Sequence, residues 1–411
     1  MAYLHGVYTR ELPTSLVPGR DVDTNLPFIV GTAPVDTLDP SNPKYVNTPR
    51  LYYSLEEFVK EMGWPEDESG LHEKYTLCEA AKVLLSQYNA PPIVCVNVYN
   101  PDTHASPLAV SSADIIGGID AVTMKKTGLE LVSEVFPRFR KVPGIILAPK
   151  FSEDPAVAVL MAAKTKSING LFECMAAADI SPDTVPNFTE VPAYKNSNNL
   201  TDPNLMLCWP RAGLGDEVYH LSCHLAGRIS QTDREAGGTP HVSPSNKRLN
   251  ITRALGAAGA ELWLGLDEVN SLNGEGINTV SNFDGGWKAW GNRTACYPSN
   301  TDPKDAFIPI RRFFCWYRNS FILTYFSKVD NPLNRRQIQT ILDSEQIRLD
   351  GYAAQEIILG GKIEFLGQYN PLTDLMDGIA KFKLSITPPP PNRVIWGIFE
   401  FDPAYMETLF G

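Results

Sequence analysis

The sequence predicts a layered α/β domain followed by a smaller C-terminal α+β domain, with extended N- and C-terminal β arms. Three observations carry this. Short apolar runs bounded by prolines alternate with helix-period segments from about 23 to 265, the pattern of a mostly parallel sheet covered by helices. Past that point the chain turns to an aromatic-dense helix, a charged helix and two alternating runs. Finally, the prolines at 388–391 form a stiff, extended spacer before Arg393-Val-Ile-Trp-Gly-Ile-Phe-Glu-Phe401, one of the strongest β signals in the chain. The expected divisions are therefore an N-terminal arm at 1–22, an α/β domain at 23–265 with β-rich insertions near 101–142 and 180–204, a C-terminal domain at 266–387 and a C-terminal arm at 388–411.

In chain order, Tyr3 to Leu12 is β-prone without a partner nearby, and Pro13 and Pro18-Gly19 break it off; it is a detached strand or a loose tail. Pro27-Phe-Ile-Val-Gly-Thr-Ala-Pro is a short apolar run between prolines, a buried strand. Leu55 to Met62 is helical, and Thr76 to Tyr88 places Leu77, Ala80, Ala81, Leu84, Leu85 and Tyr88 at helical spacing. Pro92 to Tyr99 is a strand, Thr127 to Phe136 a helix and Pro143 to Leu147 a strand. Asp154 to Lys166 is an Ala-rich helix with Pro155 in its first turn. Gly170 to Ala176 and Asn204 to Trp209 are further strands, and Asp216 to Ile229 a helix. Asp267 to Gly276 is a short polar segment and Trp287 to Thr294 a strand. Phe307 to Phe326 and Asn334 to Leu349 are helices, and Lys362 to Tyr369 with Met376 to Thr387 is an antiparallel pair.

Composition limits the function. With 36 Lys plus Arg against 47 Asp plus Glu the net charge is −11, opposite to a general nucleic-acid binder. The clusters Lys125-Lys126 and Arg138/Arg140/Lys141 are expected to be solvated surface. Seven cysteines without a C-x-x-C pair fit buried, reduced thiols. Met-Ala-Tyr-Leu-His-Gly lacks the basic-then-apolar pattern of a signal peptide, and no apolar stretch approaches about 18 residues, so neither secretion nor membrane insertion is expected.

Chemistry-bearing motifs are scarce. There is no P-loop and no G-x-S-x-G elbow, and Gly213-Leu-Gly215 and Gly274-Glu-Gly276 each lack a third glycine. His220 and His224 share a predicted helix face beside Cys223, a spacing that metal sites use, but no third ligand is in view. They are expected to be ordinary helix residues, with no cofactor and no metal. An α/β enzyme whose groups meet only in space stays open as the alternative. The strand after the prolines has two readings. It folds back on its own sheet, or it adds to a sheet in a neighbouring copy, since a free aromatic strand is an aggregation hazard.

One ordered set of segments is more specific. Leu4-His-Gly-Val-Tyr-Thr-Arg-Glu-Leu12, Pro27-Phe-Ile-Val-Gly-Thr-Ala33, Thr127-Gly-Leu129, Pro143-Gly-Ile-Ile-Leu-Ala-Pro-Lys-Phe-Ser152, Asp154-Pro-Ala-Val157, Gly276-Ile-Asn-Thr279, Trp287-Lys-Ala-Trp-Gly-Asn-Arg-Thr294 and Ile308-Pro-Ile-Arg-Arg-Phe313 follow one another along the chain. In this order the sequence resembles the contractile tail sheath family of bacteriophages, phage-derived bacteriocins and contractile injection systems; 180–250 matches least. The resemblance implies a structural, non-enzymatic subunit that stacks as hexameric rings around an inner tube and contracts to drive that tube through a cell envelope. Implied partners are other copies, the inner tube protein, and baseplate and tail terminator proteins. The implied location is a virion tail or injection particle assembled in the bacterial cytoplasm. Inter-subunit contacts would fall on Leu4, Val7 and Tyr8 in one arm and Val394, Trp396, Ile398, Phe399 and Phe401 in the other. The receiving sheet would be built from 286–294, 362–369 and 378–387. Arg311, Arg312, Arg335 and Arg336 would be candidates to meet the tube, or else pair within the chain.

Overall fold

The apolar runs between prolines become the middle of one large sheet. In the computed structural model, which describes residues 16–410, this sheet contains β1 (Pro27–Gly31), β2 (Arg50–Tyr52), β3 (Ile93–Asn97), β4 (Ile145–Leu147), β5 (Met175–Asp179), β6 (Leu205–Cys208), β10 (Ile277–Ser281) and β11 (Lys288–Trp290). Their order is β11-β10-β6-β5-β4-β1-β3-β2, parallel throughout except for antiparallel β2 and β11 at the two edges. Every residue of β1, β3, β4, β5, β6 and β10 is buried, as befits parallel strands covered on both faces. Ser54 and Asp154 cap the helices Leu55–Met62 and Pro155–Lys164 by accepting from the amides of Glu57 and Ala156. Helix Thr76–Ala81 continues as a π-helical stretch, Lys82–Gln87.

The structure departs from the sequence expectations at four places. The strand expected at 170–176 begins only at Met175, because Ala176, Ala177 and Ala178 form its buried centre. An Ala run has no β signature, yet small side chains let the helices Pro155–Lys164 and Leu221–Glu235 pack closely against it. The helix expected from 216 starts at Leu221. Residues 217–219 instead form β8, which joins β7 (Arg211–Leu214) and β9 (Arg253–Leu255) in a separate antiparallel sheet, ordered β8-β7-β9.

The two insertions are not β-rich. Residues 101–142 hold turns, short helices and one isolated bridge, Ile119 to Lys126, and 180–204 holds the helix Val191–Ser197. Side chains there satisfy nearby backbone, as when Asp120 accepts from the amides of Val122 and Thr123. The large sheet also runs past residue 265. β10 pairs with β6, so Trp287 to Thr294 belongs to this sheet and not to the C-terminal one. The entry to β10 needs Gly276, which sits at φ 73° where a Cβ would lie 2.6 Å from the Thr294 carbonyl oxygen.

The C-terminal part has its own small core. Helices Ile308–Tyr325 and Arg335–Ala354 enclose Phe313, Trp316, Tyr317, Tyr325, Ile341 and Leu349, closed by Ile363 of the hairpin β12 (Gly360–Glu364) and β13 (Lys383–Thr387). The hairpin is antiparallel, as its alternation predicted. The lead-in to β1 is strapped across these helices by side chains. The amides of Val17, Arg20 and Val22 donate to the hydroxyls of Ser344, Thr324 and Ser320 at 2.9, 2.9 and 3.1 Å. Leu4, Val7 and Tyr8 lie outside the described residues.

Candidate assembly interface

After β13 the chain leaves the body. Residues 388–402 have no regular secondary structure, and a 3₁₀ stretch, Pro403–Phe410, follows. The fold-back reading is not what is observed: among the described residues Arg393 to Phe401 pairs with no strand. Instead Trp396 is 85% exposed, Ile398 94%, Phe399 98% and Phe401 79%, with Val394 at 47%. So much unpaired apolar surface on a β-prone segment makes it a candidate docking surface.

The hairpin from which the arm departs is also incomplete. β12 and β13 pair only with each other, so among the described residues each offers one open edge of backbone donors and acceptors. The receiving sheet expected from 286–294, 362–369 and 378–387 is therefore corrected: β11 belongs to the large sheet, and only two strands remain here. A groove of about 950 Å³ lies at the arm's root. Pro389 to Ile395 line it, together with Phe283, Trp290, Arg293 and Tyr297.

The arginines divide. Arg312 is 5% exposed and grips Asp233, itself 1% exposed, with both ends of its guanidinium at 2.9 and 2.5 Å. It is a core residue and is withdrawn as a tube contact. Arg311 is also committed internally, to Asn204 at 2.6 Å, Glu173 at 3.3 Å and Asp305 at 3.4 Å. Arg335 and Arg336 are exposed at the first turn of their helix, where Asn334 caps the Gln337 amide. Sequence reasoning could not separate the two pairs, because helical spacing does not say which carboxylates face which turn.

A buried polar cluster lies outside this interface. His220 precedes helix Leu221–Glu235, with Nδ1 3.0 Å from Glu79 and Nε2 3.5 Å from Glu153. Burial opposes its charge, but Glu79 and Glu153 overcome that and raise its pKa to about 10. Arg211 binds Glu153 at 2.8 Å and Asp183 at 2.5 Å, while Asp179 accepts from the Ser222 amide at 2.9 Å. Burial lifts Asp179 to about 6. His224 turns to a different partner, the Tyr88 hydroxyl at 3.1 Å, and burial lowers its pKa to about 3. The two histidines thus act separately: His220 ties the start of helix Leu221–Glu235 to Glu79 of helix Thr76–Ala81 and to Glu153, and His224 ties the same helix to Tyr88. No group of metal-ligating side chains occurs among the described residues.

The whole architecture is that of a known class. The structure superposes on the sheath complex of an extracellular contractile injection system, PVC, in its contracted state with a TM-score of 0.68 at 15% identity, covering 98% of this chain and 99% of that one. The fold is therefore that of contractile sheath proteins. In sequence, the tail sheath protein of Burkholderia phage BcepMu is 28% identical over 336 residues, 75% of this chain and 65% of the phage protein, so the match spans just under two thirds of that relative. A putative prophage major tail sheath protein of Pseudomonas aeruginosa strain UCBPP-PA14 is 25% identical over 400 residues, 95% and 94% of the two chains. No protein-family profile matches the chain. In both sequence and fold, then, the chain is similar to contractile tail sheath proteins.

Proposed function

We propose that this chain is the repeating structural subunit of a contractile sheath, stacked as hexameric rings around an inner tube, and that contraction drives the tube through a target cell envelope. The observation that carries the reading is the arm: a stiff proline spacer, then an exposed apolar β-prone segment, leaving a hairpin that among the described residues has two open edges. Strand addition between copies would satisfy both at once. Main-chain ladders tolerate modest rotation of the bodies they join, so pairing persists while subunits move. Contraction would be driven by added burial between bodies, at about 25 cal/mol per Å² of apolar area, summed over many copies.

Arg335 and Arg336 are the remaining candidates for the tube. Two cations at a helix N-terminus oppose the macrodipole, at about 0.3–1 kcal/mol each, so the stability of their own helix does not account for them. The ends of the sheath would meet baseplate and terminator proteins, in a virion tail or injection particle assembled in the bacterial cytoplasm.

The test is electron microscopy of the purified chain and of a chain lacking 392–411. The full chain should form striated hollow tubes, and the truncated chain should stay folded and unassembled. Tubes from the truncated chain would sink strand donation by this arm.

A further inference from the structure

Among the described residues Arg293 is a cation without a carboxylate partner. Its guanidinium carbon lies 4.2 Å from the centre of the Tyr297 ring and 3.7 Å from that of Phe307, so the planar group is held between two aromatic faces. Among the described residues no carboxylate perturbs it; the charged group that does is Arg393, a second cation from the arm's root. Burial, together with Arg393, pushes Arg293 below the usual arginine value. Arg293 opens into the groove shared by Phe283, Trp290 and Tyr297. A stacked guanidinium is already oriented, so it loses little freedom when a carboxylate docks on its two parallel donors.

The exposed arm supplies the complementary chemistry. Beyond Arg393 the sequence Val394 to Gly411 contains no Lys or Arg, but it carries Glu400, Asp402 and Glu407 among aromatic residues. In an extended strand Glu400 and Asp402 share one face, and Phe399 and Phe401 the other. A groove can meet both faces. The same chain's arm enters this groove with Arg393, a like charge, while its Phe399 and Phe401 stand exposed beyond it.

We propose that Arg293 is the receptor for an acidic side chain of a second copy: it takes the carboxylate of Glu400 or Asp402 from a neighbouring arm, while the flanking phenylalanines enter the aromatic groove. This rests on the sheath-subunit reading and gives the arm a charge-coded seat in addition to any backbone pairing. The seat would also set register, since sliding the strand by one residue would present Phe399 or Phe401 to the guanidinium.

The experiment compares four full-length forms by pelleting and negative-stain microscopy across protein concentration: wild type, Arg293→Glu, Arg293→Lys, and the double variant Glu400→Arg/Asp402→Arg. The assembly threshold should rise at least tenfold for Arg293→Glu and for the arm variant, and less for Arg293→Lys. An equimolar mixture of Arg293→Glu chains with the arm variant should recover assembly, because each supplies what the other lacks. The arm variant changes only exposed residues, so its effect does not depend on whether Arg293→Glu folds. If the wild type forms tubes and both charge reversals assemble at the wild-type threshold, the seat is refuted and the sheath reading stands. If the wild type forms no tubes, both fail. Rescue in a single chain carrying all three substitutions, but not in the mixture, would place the pair within one chain and overturn the inference.

Discussion

Phe399→Ala separates assembly from folding more cleanly than any other single change. Phe399 is 98% exposed in the free chain, so removing its ring should leave the subunit's circular dichroism and urea midpoint unchanged. In an assembled sheath the ring would be buried. Burying a phenylalanine stabilises by about 1.5–3 kcal/mol, and a packed Phe→Ala change costs about 3–5 kcal/mol. Taking about 2–4 kcal/mol per docked arm, at about 1.4 kcal/mol per tenfold, the assembly threshold should rise roughly 30- to 700-fold. Trp396, at 85% exposure, gives an independent second site, and Trp396→Asp should act more strongly because it also buries a charge. The assay is sedimentation of assembled material across a concentration series, with microscopy of the pellet. An unchanged threshold for both variants would refute docking of this arm. A loss of more than about 1 kcal/mol in the free subunit, well above what surface substitutions normally cause, would show that the ring packs on its own body.

Other outcomes follow from the interior. Arg312→Ala leaves Asp233 buried and unpaired, and should cost about 3–5 kcal/mol in urea unfolding; a change below 1 kcal/mol would argue that Asp233 reaches water. His220 carries a pKa raised to about 10, so its stabilising contribution is complete below about 6.5 and fades as pH rises through 10. The wild type's lead over His220→Gln in unfolding midpoint should therefore shrink between pH 6.5 and 10, and a lead independent of pH would refute the imidazolium assignment. Gly276→Ala should destabilise the β10 edge because the new methyl meets the Thr294 and Tyr297 carbonyls, and hydrogen exchange should accelerate at 277–281 before it does at β1. Arg335→Glu/Arg336→Glu should weaken binding to the inner tube with the fold intact; equal affinity for tube protein would remove that pair from the contact.

Local pattern was enough to find β1, β3, β6, the capped helices and the terminal hairpin, because each is specified by periodicity or by a cap within a few residues. A β-prone run set off by Pro388–Pro391 was likewise legible, but pattern alone left open whether it folds back or adds to a neighbouring copy. The destination of a strand was not. Ala176–Ala178 pack as a central strand only because two helices press on them. β10 and β11 extend the large sheet only because Gly276 permits the chain's entry beside β6. Charge roles were equally hidden. Arg311, Arg312, Arg335 and Arg336 look alike as letters, yet Asp233 claims Arg312 from a helix 79 residues away in sequence, while Arg335 and Arg336 stay in water. The role of Arg293 likewise depends on the rings of Tyr297 and Phe307 that hold it, with no carboxylate among the described residues acting on it. Sequence by itself determined those strands and helices whose signal lies in neighbours along the chain, such as β1, β3, β6 and the capped helices. Only the tertiary structure decided which strands meet and which charges are spent inside, since both depend on residues that become neighbours when the chain folds.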